Sequence, residues 1–228
     1  MATMTAAQWN AERHKRRHFE ALAALGWLTI PPGADEVDAV KAVQAALGLA
    51  VDGKLGDGTI AALRAKHGAA QNLCGLPVPH GYAEIRRVYG DPQETPGVGG
   101  RLNVSAAWRG ANIATATLHN GQRFPCHKAV AVEFATVFAL ACKLSGYNPR
   151  CAGVFVPRCI NWNPENSPSI HTFAVAFDVN PSENGRGNAS SALHKCRLFV
   201  AIFEVCGWHW GGDFKTPDAM HFQRCTGA

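Results

Sequence analysis

Two short blocks of the chain bring together residue types that do chemistry. The first runs Ser169-Ile170-His171-Thr172-Phe173-Ala174-Val175-Ala176-Phe177-Asp178. The second runs Gly207-Trp208-His209-Trp210-Gly211-Gly212-Asp213-Phe214, then Asp218-Ala219-Met220-His221-Phe222. Asp178 interrupts an otherwise apolar stretch, and His221 lies between Met220 and Phe222. A buried carboxylate costs several kcal/mol unless it is paired or bound to a metal. If Phe173–Val179 is an alternating strand, Asp178 shares a face with Ala174 and Ala176, whose small side chains leave room for a bulky object. Two imidazoles and one carboxylate are a usual catalytic zinc set, with the fourth position left to water. Asp218, three residues before His221, is then free to take a proton from that water, whose pKa zinc lowers to roughly 7. Taken singly, each residue has a plainer reading. A histidine in an apolar stretch is commonly a core residue with a satisfied hydrogen bond, and a buried aspartate is commonly a cap or an ion-pair partner.

The elements that must carry these residues follow from patterning. Thr5 to Gly26 reads as a helix, opened by a Thr5/Gln8 capping box and striped by Trp9, Phe19, Leu22 and Leu25. A second helix is expected from Asp35 to Leu47. A third is expected from Ile60 to Lys66, capped by Thr59 after the glycine-dense turn 52–58. The basic run Arg13 to Arg17 reads as a solvated helix face, with contact to an acidic polymer as the alternative. Residues 69–82 read as a linker. Beyond it the spacing predicts a long helix at His127–Leu144 and strands at Gly153–Val156, Phe173–Val179 and Met220–Arg224. A helix is expected at Ser191–Cys206. Helices and strands mix without regular alternation, so the class is α+β. The expectation is a small N-terminal three-helix domain (1–68), the linker (69–82) and an α+β domain with a small antiparallel sheet (83–228).

Composition narrows the function classes. With 47% hydrophobic and 17% charged residues, the chain is globular rather than disordered. No stretch is long and apolar enough for a membrane span, so no stable membrane association is expected. The N-terminus lacks the apolar run of a secretory signal. A net charge of +5 suits an anionic polymer. No aromatic-interleaved basic tract points to nucleic acid, and none is expected as a partner. The eight cysteines form no C-x-x-C pair, which argues against a cysteine-rich zinc knuckle. Cys151 and Cys159 flank a loop and are open to pairing.

Two resemblances unite these readings. Val43-Gln44-x-x-Leu47-Gly48-Leu49, then Asp52-Gly53-x-x-Gly56-x-x-Thr59-x-x-Ala62-Leu63, resembles the helical peptidoglycan-binding domain of wall hydrolases. The pattern S-x-H-x-x-x-x-A-x-D, followed by G-W-x-W-G-G-D and D-x-x-H-F, resembles the VanY-type D-alanyl-D-alanine carboxypeptidase and L-alanyl-D-glutamate peptidase family. That resemblance implies His171, Asp178 and His221 as zinc ligands and Asp218 as catalytic base. It departs at Ala174, where the family usually has glycine. Val156-Pro157-Arg158-Cys159-Ile160 resembles the family's P-R-x-I segment, whose arginine faces substrate. There a guanidinium holds a carboxylate or steadies a carbonyl oxygen gaining charge, with Arg150 as the alternative. His209 and Trp210 are further candidate substrate contacts, and Trp208, Trp210, Gly211 and Gly212 read as the floor beside the metal.

A wall-binding module joined to a wall peptidase resembles a phage endolysin. The layout implies a monomeric zinc endopeptidase made in the host cytoplasm and acting on peptidoglycan after release. The L-alanyl–D-glutamate bond of the stem peptide is favoured. A D,D-carboxypeptidase is the second reading, and a non-catalytic wall-binding zinc protein is a rival from another class.

Overall fold

The computed structural model describes residues 4–68, 73, 77–188 and 191–228, and the side chains of Arg13, His14, His194 and Lys195 are outside that description. The chain opens with helices α1 (Ala6–Ala11), α2 (Arg13–Ala24), α3 (Glu36–Ala46) and α4 (Asp57–Gly68). The Thr5/Gln8 capping box is present. The first expected helix is broken in two, because Glu12 is extended at φ −58°, ψ 141°. Gly26 ends the helical segment at φ +71°, where a residue without Cβ is at ease.

The Gln44, Asp52, Gly53 and Thr59 of the wall-binding pattern prove to be one hydrogen-bonded knot. Buried Gln44 accepts from the Gly53 amide at 2.9 Å and donates to Asp52 Oδ1 at 2.8 Å and to Thr59 Oγ1 at 3.2 Å. Thr59 therefore lies inside α4, which starts three residues earlier than expected, and is not its cap. Asn10 ties α1 to the same turn through the Gly53 carbonyl and the Leu55 amide.

The basic run is not uniformly solvated. Lys15 and Arg17 are buried, Lys15 against Asp57 at 2.9 Å and Arg17 against Glu204 and Asp213. The helical segment thus packs on the remainder of the chain through the buried Arg17–Glu204 ion pair. Part of the expected linker (69–72 and 74–76, with Cys74) lies outside the described residues. Its end is already helical, because α5 (Gly81–Tyr89) begins within it.

Three more elements were not foreseen: the ribbon β1 (Thr95–Pro96) with β2 (Leu102–Asn103), α6 (Ala106–Asn112), and the hairpin β3 (Ile113–Thr117) with β4 (Arg123–His127). Helix α7 (Lys128–Ser145) follows, capped by His127, with Val130, Phe134, Val137, Phe138 and Ala141 fully buried as their spacing predicts. Strand β5 is Cys151–Ala152, so the strand expected at Gly153–Val156 is displaced and Gly153 onward is irregular. Strand β6 is Ala176–Val179, shorter than expected, because Ile170–Phe173 form a 3-10 turn and Ala174 is left-handed. Helices α8 (Pro181–Asn184), α9 (Ala192–Lys195) and α10 (Arg197–Val205) follow, with Cys196 breaking the single helix expected there. Strands β7 (His209–Trp210) and β8 (His221–Gln223) complete a four-stranded antiparallel sheet in the order β5-β6-β8-β7.

Strand alternation divides the work of this sheet between its faces. Phe177 pairs with Phe222 across β6 and β8, and their rings stack 5.1 Å apart. They pack on Phe134 of α7 and on Phe199 and Phe203 of α10, all fully buried. Each such ring stabilises the fold by roughly 1.5–3 kcal/mol on burial. The next register position pairs Asp178 with His221 and turns both to the opposite face. The described cysteines, Cys151 and Cys159 included, are free thiols. No helix among the described residues is long and apolar enough to cross a membrane.

Candidate active site

Three of the four residues singled out first meet at one point. His171 Nε2 is 3.1 Å from His221 Nδ1 and 3.5 Å from Asp178 Oδ1, and His221 Nδ1 is 3.3 Å from that same oxygen. This buried group could hold a metal ion, with each residue offering one ligand atom. Asp178 and His221 arrive as a direct cross-strand pair, which brings their side chains within reach of each other. His171 arrives differently, from the 3-10 turn before β6. The chain must then reverse into the strand, and Ala174 makes that reversal at φ 56°, ψ 33°. The sequence departure at this position is therefore a backbone matter. Glycine adopts this conformation freely, whereas alanine carries a Cβ penalty. Ala174 does not share a strand face with Asp178, contrary to the alternating reading.

Protonation in the triad follows from burial and neighbours. Burial pushes the His171 imidazole below its ordinary value, with Asp178 opposing, so it stays neutral and able to donate a lone pair. Burial alone would raise Asp178, but hydrogen bonds from His171 and His221 outweigh it and keep the carboxylate ionised. Burial opposes protonation of His221 as well, yet Asp178 and Gln223 raise its pKa. Gln223 was missed at the sequence level. Its Oε1 lies 2.9 Å from His221 Nε2, while its amide donates to the Cys225 carbonyl. That arrangement suits a proton on His221 Nε2, and Nδ1 is the ring nitrogen that faces Asp178 and His171. The signal was present: Gln223 is a polar residue two positions after His221, on the same strand face.

Asp218 lines the same cleft as His171 and His221. Its Oδ1 is buried with no hydrogen-bond partner, and burial raises the pKa of its carboxyl. The backbone around it is tightly held: the Asp218 amide donates to Gly211 at 2.8 Å, and the His221 amide donates to Asp218 at 3.0 Å. A Cβ on Gly211 would stand 2.5 Å from the Asp218 carbonyl oxygen, so glycine is required for this approach. Arg158 also lines the cleft, half-buried and facing Asp178 and Asp218. Arg150, the alternative to Arg158, is exposed and does not line this cleft.

The other two substrate contacts expected from sequence, His209 and Trp210, do not line this cleft. His209 stacks on Phe214 at 5.4 Å, and buried Trp210 donates its indole N–H to the Ala219 carbonyl at 2.8 Å. Trp210 thus braces the segment between Asp218 and His221 from behind.

Residues 163–224 match the family model described as D-alanyl-D-alanine carboxypeptidase. The matched carboxypeptidase segment contains all three triad residues and Asp218, and it leaves Arg158 just outside. Residues 20–63 match a putative peptidoglycan binding domain, which covers the Gln44 knot. No curated protein and no solved structure matches the chain. The two family matches together support a cell-wall peptidase.

Proposed function

We propose that this protein is a zinc-dependent endopeptidase that cuts the stem peptide of peptidoglycan, with the L-alanyl–D-glutamate bond favoured. The carrying observation is the spacing of the triad. Ligand atoms about 2.0–2.2 Å from a tetrahedral zinc lie roughly 3.4 Å from one another. The three separations here, 3.1, 3.3 and 3.5 Å, fit that spacing with no rearrangement. The donor set, two imidazoles and one carboxylate, is the open catalytic kind and not the closed structural kind. Zinc held there supplies Lewis-acid polarisation and lowers the pKa of a water toward neutrality.

The remaining chemistry belongs to the chain. Asp218 brings a carboxylate with an unpartnered oxygen into the same cleft, suited to accept a proton and return it to a leaving amine. An inert zinc-binding protein has no use for that buried carboxylate. Arg158 offers a guanidinium to a peptide carboxylate or to a carbonyl oxygen gaining charge. Gln223 fixes the tautomer of His221, and Trp210 with Gly211 holds the Asp218 segment. The wall-binding match brings the enzyme to intact polymer, where internal peptide bonds are plentiful.

A D,D-carboxypeptidase is the second reading, favoured by the D-alanyl-D-alanine carboxypeptidase family that residues 163–224 match. Mass spectrometry of products from digested peptidoglycan separates the two. New N-terminal D-glutamate supports the endopeptidase, whereas released D-alanine with an otherwise intact stem supports the carboxypeptidase. Elemental analysis of the active protein should find about one zinc per chain, and active protein without metal ends the proposal.

A further inference from the structure

One wall of the cleft has an unusual backbone. Asn161 and Trp162 are consecutive non-glycine residues at φ 57° and 58°. Such conformations persist where the surroundings over-determine them, and they cluster at binding sites. The surroundings here are specific. The Trp162 amide donates to Cys159 at 3.1 Å, and the Cys159 amide donates to Gly100 at 2.8 Å. Gly100 presses so close that a Cβ on it would lie 2.1 Å from the Trp162 carbonyl oxygen.

Two side-chain arrangements result. Trp162 stays 45% exposed, with the guanidinium groups of Arg101 and Arg158 over its ring at 5.6 and 5.4 Å. Asn161 Oδ1 accepts from Arg186 Nη1 at 2.7 Å, which holds that second guanidinium against the lining of the cleft. Arg158 donates to the Cys159 carbonyl at 3.3 Å. Among the described residues, neither Arg158 nor Arg186 forms an ion pair with a carboxylate. The cleft therefore offers two guanidinium groups that are hydrogen-bonded to neutral acceptors, with the carboxylates of Asp178 and Asp218 near them but not in contact, and each keeps other N–H donors available.

We infer that Arg186, held by Asn161, is a specificity-determining residue that binds a carboxylate of the substrate apart from the group Arg158 attends. The cleft then selects an acidic peptide, one whose D-glutamate carries its α-carboxyl free rather than amidated. This rests on the reading of the protein as a peptidase of the wall stem peptide. A planar guanidinium distinguishes the two forms sharply, because a carboxylate accepts two parallel charged hydrogen bonds and a carboxamide does not.

The test uses two synthetic stem peptides that differ only in a D-glutamate α-carboxylate or α-carboxamide, with the full-length zinc-loaded protein. The parent should favour the carboxylate peptide in kcat/KM by about tenfold, the scale of one charged hydrogen-bonded contact. Arg186→Gln should remove that preference through KM, with kcat largely kept and the carboxamide peptide unaffected. Asn161→Ala should weaken the preference in the same direction. Equilibrium binding of both peptides, followed calorimetrically on parent and Arg186→Gln, reads the same selection without turnover. If the parent cleaves neither peptide but binding keeps the preference, the peptidase reading fails while the carboxylate site stands. A parent indifferent to the two forms overturns the inference. So does an Arg186→Gln variant that loses both peptides equally.

Discussion

Two clusters of charge lie near opposite ends of the segment from His209 to His221, and they are closed to different degrees. In the first, Arg17 of the helical N-terminal segment donates to Glu204 through Nε at 2.7 Å and also pairs with Asp213, while His18 lies 3.0 Å from the same Glu204. The Arg17 guanidinium sits over the Trp210 ring at 5.7 Å. Each carboxylate there has a partner of opposite charge or a hydrogen-bonded ring. In the second cluster, Asp218 Oδ1 and His171 Nδ1 are buried without a partner, and Arg158 and Arg186 face a cleft of about 370 Å³. Burying polar atoms unpaired is costly. The first cluster joins parts of the molecule, whereas the second leaves polar atoms open to the cleft, which is what the proposed metal and substrate would complete.

The sharpest way to break this contrast lies within the open cluster. His171→Ala should lower zinc content and activity together. Asp218→Ala should keep zinc and lose catalysis by about a hundredfold to ten-thousandfold, the usual share of a general base. Elemental analysis and turnover on the same preparations check both. Loss of zinc in Asp218→Ala, as complete as in His171→Ala, would move Asp218 into the ligand set.

The closed cluster should respond in stability. Removing one partner of a buried ion pair costs roughly 3–5 kcal/mol, because the other charge stays buried. Arg17→Ala should therefore lower the denaturant midpoint markedly, with zinc content unchanged. A fragment starting at residue 77 should be weakened for the same reason, since it keeps Glu204 and loses Arg17. Burial pushes Glu204 up, but His18 and Arg17 outweigh it and hold the carboxyl below its usual 4.5. A depressed carboxylate stabilises the fold above its unfolded pKa and loses that contribution as pH falls through the folded value. Stability of the parent should decline below about pH 4.5, and Glu204→Gln should flatten that decline. Thermal melts across this range test the sign.

Smaller effects sharpen the picture. Arg158→Lys keeps the charge but removes the planar fork, and should cost roughly tenfold in catalytic efficiency. Unchanged kinetics would deny Arg158 its role in the cleft. At Ala174, glycine relieves the left-handed strain, so Ala174→Gly should gain up to about 1 kcal/mol while Ala174→Val loses stability. Denaturation of both variants would show whether the departure from glycine is a backbone effect.

The sequence alone determined the types of the site residues and much of what surrounds them. A carboxylate inside an apolar strand, and a histidine between Met220 and Phe222, are anomalies visible without coordinates because burial penalises them. The core stripe of α7 and the Thr5 capping box were equally legible, since both depend on local spacing. What tertiary structure decided were the matters set by partners distant in sequence. Gln223 became a support for His221 only once strand pairing fixed which way the ring turned. Lys15 and Arg17 look like a solvated run until α10 and Asp57 supply counter-charges. His209 and Trp210 were displaced from the cleft because strand β7 turns them toward Phe214 and Ala219. The Arg186–Asn161 contact arises the same way. Local periodicity records the cost of each residue's own burial, but it does not carry the identity of the partner across the fold.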